Sequence, residues 1–301
     1  MFAYDEPVHL TMLNPSFGTT QGGTSVLVHG KHFANTSTLA CKFGSVVVDA
    51  TFISATRVLC TTPVHRAKAV AVEVTLNGYD YSFSDVRYGF EPPPRVTSIS
   101  PVLGPALKGG TVVTVKGEHF KRGMETSCRF AGFSTPAHWV DAATLLCETP
   151  PHYPGLVSMR VTVNGIEASG GGGAGPGGRD QHDLTRRGWT SATGGGGGGG
   201  GLAQPYHFLY VRDMSVTSLH PARGLATGQY PVFVLGTNFL NSTLLGCKFG
   251  SVAVRATYVS SRVLVCPAPS RTAGGLNIQG SVTVEVTSNG IDYTDSEVRL
   301  E

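Results

Sequence analysis

Six cysteines constrain this 301-residue chain more than any other feature, because they fall into three pairs with one separation. Cys41 and Cys60, Cys128 and Cys147, and Cys247 and Cys266 are each 19 residues apart, and no cysteine is left over. Three equal gaps without a remainder are the mark of one unit repeated three times, each with its own pair. Function has to be sought in that unit.

The frame around each pair recurs as well. A Gly-x-x-Phe element begins 11 residues before the first cysteine, as Gly30-Lys31-His32-Phe33, Gly117-Glu118-His119-Phe120 and Gly236-Thr237-Asn238-Phe239. Upstream lies Pro-x-x-Gly, at Pro15 to Gly18, Pro101 to Gly104 and Pro221 to Gly224. Gly-Gly-Thr follows it at Gly22 to Thr24 and Gly109 to Thr111, whereas the third copy has Gly228-Gln229-Tyr230. Downstream come Pro63, Pro150 and Pro269, then Asn77-Gly78, Asn164-Gly165 and Asn289-Gly290. Between these marks apolar and polar residues alternate: Val70, Val72, Val74 and Leu76 interleave with Ala71, Glu73 and Thr75. Met159, Val161 and Val163, and Val282, Val284 and Val286, repeat the pattern. A period of two predicts half-buried strands, and each Asn-Gly is expected to supply the two positive-φ positions of a tight hairpin turn. No apolar stripe has a helical period. Short strands punctuated by Gly and Pro point to small β-sandwiches.

This ordered set of motifs, seen three times over nearly the whole chain, resembles the IPT/TIG domain, an immunoglobulin-like sandwich. The resemblance implies an all-β chain of three tandem sandwiches, at residues 10–91, 94–213 and 214–301. Copy two reads Cys128-Arg129-Phe130-Ala131-Gly132, one residue longer before its glycine than Cys41-Lys42-Phe43-Gly44 or Cys247-Lys248-Phe249-Gly250. A local bulge is expected to absorb that residue. The only tryptophans, Trp139 and Trp189, do not recur, which argues against an antibody-type domain.

Residues 1–9 match the last strands of the copies, with Phe2-Ala3-Tyr4 resembling Val86-Arg87-Tyr88 and Phe208-Leu209-Tyr210. They read as the tail of an earlier repeat, which would make Met1 a cut in a longer array. Residues 168–204, with the run Gly194 to Gly201, interrupt copy two. So little apolar surface cannot offset backbone entropy, so the segment is expected to be a disordered insertion. Its scattered Arg179, Arg186 and Arg187 leave an Arg-Gly nucleic-acid tether as the alternative.

Each cysteine pair has three readings: a disulfide, metal ligands or buried free thiols. Two thiolates without a Cys-x-x-Cys element or a recurring His pair make a poor zinc site. Disulfides are expected at Cys41–Cys60, Cys128–Cys147 and Cys247–Cys266, each contributing roughly 3 kcal/mol in the chain-entropy picture. Such bonds persist in oxidising compartments. Free thiols, which pack as small apolar groups, stay open. Two acceptor sequons, at Asn35 and Asn241, follow the Phe of Gly-x-x-Phe in copies one and three and fit the same compartment.

Catalytic motifs are missing. The glycine runs lack the Lys-Ser or Lys-Thr of a phosphate loop, and no Gly-x-Ser-x-Gly turn or His-Glu-x-x-His helix occurs. His29 and His32 lie three apart without a paired carboxylate or a recurring third ligand, so a surface pair is expected rather than a metal site. Asp292, Asp295 and Glu297 read as a solvated edge strand. No catalytic residue, cofactor or metal is therefore expected. With 23 Lys and Arg against 20 acids, a net charge of +3 points to neither nucleic acid nor an anionic membrane as partner.

The resemblance leaves two classes of function. One is a non-enzymatic binding or spacer module of an extracellular or cell-surface protein, like the ectodomains of plexins, the hepatocyte growth factor receptor and fibrocystin-like proteins. Its partners would be a protein ligand or neighbouring repeats, with no membrane contact in this segment and a membrane anchor left open for the parent. The other is the TIG domain of intracellular Rel-type and early B-cell-factor-type transcription factors, which aids dimerisation and DNA binding. Tandem copies, paired cysteines and sequons favour the first. Between the units, Glu91-Pro92-Pro93-Pro94 should be stiff, and Val211 to Ser215, without proline, should bend more.

Overall fold

The computed structural model describes residues 6–167, 206–224, 227–270 and 280–301. Residues 1–5 of the expected tail and all of the expected insertion lie outside them. No helix occurs among the described residues; the chain forms three successive all-β sandwiches, each with its own buried core.

Repeat 1 shows the plan. Its strands are β1 (His9–Asn14), β2 (Phe17–Thr19), β3 (Ser25–Lys31), β4 (Ala40–Phe43), β5 (Val46–Ser54), β6 (Arg57–Thr61), β7 (Lys68–Thr75) and β8 (Arg87–Glu91). One sheet runs β1-β3-β6-β5 and the other β5-β4-β7-β8-β2, with only the β2/β8 pair parallel. The long β5 belongs to both: Val46 to Asp49 pair with β4, and Ala50 to Ser54 pair with β6. Repeat 2 uses Phe133–Asp141 in the same way, while in repeat 3 Ala256 divides the crossing strand into Val252–Arg255 and Thr257–Ser260.

Alternation puts one row of each strand into the gap between the sheets. Val26, Val28, Phe43, Val58, Val72, Val74, Tyr88 and Phe90 are buried in repeat 1, with counterparts in the other two. Each aliphatic or aromatic side chain so buried contributes about 1.5–3 kcal/mol relative to exposure. Aromatic rings meet edge to face, as in Phe43 with Tyr88 and Phe130 with Phe208.

The Gly-x-x-Phe motif has a steric cause. Phe33, Phe120 and Phe239 are each 3% exposed because the ring folds back onto the glycine three residues earlier. A Cβ on Gly30 would lie 2.6 Å from Phe33 Cζ and 2.4 Å from the His9 carbonyl; at Gly236 the corresponding distances are 2.4 and 2.0 Å. The chain reverses through a left-handed residue, His32, His119 or Asn238, at φ 64°, 62° and 59°. A cis peptide bond precedes each Pro-x-x-Gly proline.

Two local expectations are corrected. Copy two has no bulge after Cys128: Phe130 pairs with Phe133 across Ala131-Gly132, as Phe43 pairs with Val46 and Phe249 with Val252. Turn length is constant, and Ala131 takes the left-handed place, φ 48°, that Gly44 and Gly250 hold elsewhere. Only Asn164-Gly165 forms the expected two-residue turn, with φ 51° and 79° between the paired Val163 and Ile166. In repeats 1 and 3 the asparagine side chain competes with the ladder. Asn77 Oδ1 accepts from the Tyr79 and Asp80 amides, and Asn289 Oδ1 from those of Ile291 and Asp292, giving Asx turns in which only the glycine has positive φ.

Candidate interaction surfaces

The three cysteine pairs lie where the crossing strand passes from one sheet to the other. Cys41 sits on β4 and Cys60 on β6, both beside β5, and their sulfurs are bonded, as are those of Cys128 and Cys147 and of Cys247 and Cys266. Cα separations are 6.3, 6.0 and 6.3 Å, and all six residues are buried. Each bond therefore ties the two sheets of one sandwich together.

The groups that reach a neighbouring repeat at both junctions belong to the Asn-Gly turns. Asn164 Nδ2 of repeat 2 donates to the Phe17 carbonyl of repeat 1 at 3.0 Å, and Asn289 Nδ2 of repeat 3 donates to the Leu103 carbonyl of repeat 2 at 2.9 Å. Phe17 and Leu103 occupy one motif position, immediately before the glycine of Pro-x-x-Gly. The same donor thus meets the same acceptor at both junctions. That glycine keeps the strand close to its neighbours: a Cβ on Gly18 would lie 2.2 Å from the Tyr88 hydroxyl, and one on Gly104 would lie 2.1 Å from Thr111 Oγ1.

Secondary contacts differ between the junctions. At the first, Phe17 packs on the core of repeat 2, its ring against Gly123 and 5.1 Å below the Lys121 ammonium, which is also paired with Glu91. At the second, Thr111 Oγ1 donates to Asp292 Oδ2 at 2.6 Å, and Lys108 pairs with Asp295. The ammonium holds the Asp295 carboxyl below the usual carboxylate range. Asp292 and Asp295 therefore lie in the loop after the Asn-Gly turn and face repeat 2, where a solvated edge strand was expected. Glu297 bonds through its own amide to the carboxylate of Glu285, which also takes the Ser296 amide.

Linkers are held from both sides. Asp213 Oδ1 accepts the Ala106 and Leu107 amides at 2.9 and 3.0 Å, and the Asp213 carbonyl accepts from Asn238 Nδ2. His32, at the position of Asn238, lies 3.1 Å from the Pro7 carbonyl through Nδ1, and its Nε2 is 2.9 Å from Glu6 Oε2. In repeats 1 and 3 the left-handed residue of Gly-x-x-Phe thus contacts the chain ahead of the first strand, and His32 has the carboxylate partner that the sequence did not reveal. Among the described residues no group of three or more His, Cys, Asp or Glu could hold a metal ion. Nor is any helix there long and apolar enough to cross a membrane.

Asn35 is exposed on the loop between Ser25–Lys31 and Ala40–Phe43, and Asn241 on the equivalent loop between Pro231–Thr237 and Gly246–Phe249. That loop is tied to the Asn-Gly turn, since Thr36 Oγ1 donates to the Leu76 carbonyl and Ser242 Oγ to that of Ser288.

Comparison with known proteins decides the family. The IPT/TIG domain profile matches residues 7–90, 94–176 and 214–297. The chain belongs to the IPT/TIG family. Fibrocystin-L of Mus musculus is 28% identical over 173 residues, covering 54% of this chain and 4% of the relative; human fibrocystin-L is 28% identical over 171 residues. This chain therefore spans a small fraction of the length of those relatives. The full extracellular region of plexin A4 superposes with a TM-score of 0.50 at 16% identity, over 96% of this chain and 24% of that one. At that identity the likeness speaks for the fold of three successive IPT/TIG repeats.

Two features of these repeats escaped the sequence. Asn-Gly reads as a turn former, yet Asn77 and Asn289 are not at positive φ and use their side chains to hold the turn, while Asn164 and Asn289 also donate to the neighbouring repeat. Gly-Gly-Thr reads only as part of the repeat frame, yet Thr111 is a junction donor. Strict recurrence of Asn, when glycine or aspartate would also make such turns, was the available signal.

Proposed function

We propose that this chain is a non-enzymatic spacer and protein-binding segment of an extracellular or cell-surface multidomain protein, in which each IPT/TIG repeat is set at a fixed angle to the one before it. The observation that carries the reading is the repeated junction bond, asparagine to Pro-x-x-Gly carbonyl, made by both Asn164 and Asn289. A flexible tether has no use for the same side-chain donor at successive joints; a strut has. Cross-sheet cystines and exposed Asn35 and Asn241 support an oxidising, glycosylating compartment. Partners in this reading are proteins and neighbouring repeats, and nucleic acid is not among them.

Small-angle scattering on the full chain tests the strut. The native protein should give one narrow distribution of end-to-end distances, and Asn164→Ala with Asn289→Ala should broaden it. A native distribution as broad as that of the double variant would sink the reading. Peptide mapping without reductant should recover three cystine peptides; six alkylatable thiols in native material would remove the extracellular assignment.

A further inference from the structure

Repeat 1 carries the same docking turn as repeat 3, and no described residue covers it. The segments from Thr75 to Leu76-Asn77-Gly78 and from Thr287 to Ser288-Asn289-Gly290 are built alike: Thr75 Oγ1 accepts the Gly78 amide, and Thr287 Oγ1 accepts the Gly290 amide. One N–H of the asparagine side chain donates to the aspartate three residues on, Asp80 at 2.8 Å and Asp292 at 2.7 Å. In repeat 3 the asparagine also reaches Leu103 O, the aspartate receives the Thr111 hydroxyl, and Asn289 is 3% exposed. In repeat 1 Asn77 and Asp80 are exposed, beside Tyr79 at 88% and Phe83 at 99% exposure.

We propose that this face of repeat 1 docks another IPT/TIG repeat placed ahead of it, whose Pro-x-x-Gly carbonyl accepts from Asn77 and whose Gly-Gly-Thr hydroxyl donates to Asp80. The turn is preorganised without its partner, so docking orders no new loop. Its geometry already meets that acceptor within this chain at Asn289, and the asparagine of the differently built repeat 2 turn meets the equivalent carbonyl of repeat 1. Phe83 stands where Asp295 meets Lys108, so the arriving repeat should present an uncharged residue at that position instead of a lysine. Glycosylation at Asn35 is compatible with docking, because Asn241 stays exposed while Asn289 is buried. A second copy of this chain is a poor occupant: repeat 3, whose Pro-x-x-Gly end no described repeat covers, has Tyr230 in place of the threonine.

The inference rests on the strut reading, and the test separates the two. Residues 8–93 are duplicated in tandem within the full chain, which keeps the linker because Pro93 precedes the repeated first strand as Pro7 does. The inner Asn77 then faces the outer copy's Phe17 carbonyl and Thr24 hydroxyl. Exposed Lys68→Arg in the outer copy labels its peptides by mass, and recovery of four cystines shows that the added copy has folded. Hydrogen exchange of the Tyr79 and Asp80 amides should be roughly tenfold slower in the inner copy. Inner Asn77→Ala should abolish the difference and outer Asn77→Ala should leave it. Equal exchange in the two copies, with the Asn289 turn still protected relative to the outer copy, overturns the proposal and leaves the strut standing. If the Asn289 turn exchanges as fast as the outer copy, both fall. Sedimentation of the unmodified chain should show a monomer; self-association removed by Asn77→Ala would make a second copy the occupant and overturn the proposal.

Discussion

At the level of single residues, the three repeats solve one packing problem in two ways. In repeats 1 and 2 a tyrosine of the last strand, Tyr88 or Tyr210, is buried near the glycine of Pro-x-x-Gly, and threonines fill the remaining space. Thr62 Oγ1 accepts the Thr24 amide and Thr149 Oγ1 the Thr111 amide. Repeat 3 has Leu300 in the last strand, Ala268 for the second threonine and Tyr230 for the first. A Cβ on Gly224 would lie 1.3 Å from the hydroxyl of the half-buried Tyr230, so the ring reaches that glycine from the residue just ahead of Pro231–Thr237. Tyr230→Thr alone should therefore cost about 1–2 kcal/mol through the apolar contact that the half-buried ring loses. Adding Leu300→Tyr and Ala268→Thr should recover more than half of that loss, since residues sharing a cavity do not act additively. Chemical denaturation of the three variants measures the coupling. Burial also pushes the Tyr210 hydroxyl up to about 12. The folded state thus holds its proton where the unfolded chain releases it near pH 10. Tyr210 should contribute its full stability below about pH 10 and lose it as pH rises through about 12, and Tyr210→Phe should flatten that alkaline fall.

At the level of elements, the junctions are held by loops whose composition says little about stiffness. The expectation that Val211 to Ser215 bends more freely than the triproline linker rested on proline content, but Asp213 spans that linker with two amide bonds and a carbonyl contact. Asp213→Ala should loosen the second junction and leave the first unchanged, as read by hydrogen exchange of Ala106 and Leu107. Acid should act on the same joint. The Asp295 carboxyl is held low by Lys108, so its contribution is present above the ordinary carboxylate value of about 3.9 and is lost as pH falls through the lowered folded value. Lys108→Met should remove that acid sensitivity from the second junction. The strands were legible because burial on one face writes itself as a period of two. Cystine partners were legible because 19-residue gaps leave only one economical pairing. Junction chemistry was hidden: Thr111 and Asp292 are 181 residues apart, and hydrogen bonds between repeats leave no periodic trace. Asn164, Asn289 and Asp213 look like ordinary turn and linker residues until the neighbouring repeat is in place.

At the level of the whole molecule, three separate cores linked by two small junctions make a short one-dimensional array, in which each repeat's stability is its own plus that of its interfaces. Among the described residues, repeat 2 alone is held from both sides. It receives Asn289 and Asp292 on its Leu103 and Thr111 edge, and it sends Asn164 and Lys121 to repeat 1. Different residues of repeat 2 serve the two junctions, so removing them should act independently. Asn164→Ala and Asn289→Ala are each expected to destabilise repeat 2 by about 1 kcal/mol, the net worth of a well-made hydrogen bond. The double variant should come within about 0.5 kcal/mol of their sum. Repeats 1 and 3 should each respond to only one of the two substitutions. Hydrogen exchange resolved by repeat gives the measurement, and a double variant that weakens all three repeats equally would mean that the array behaves as one cooperative body, with the junctions acting as part of a common core.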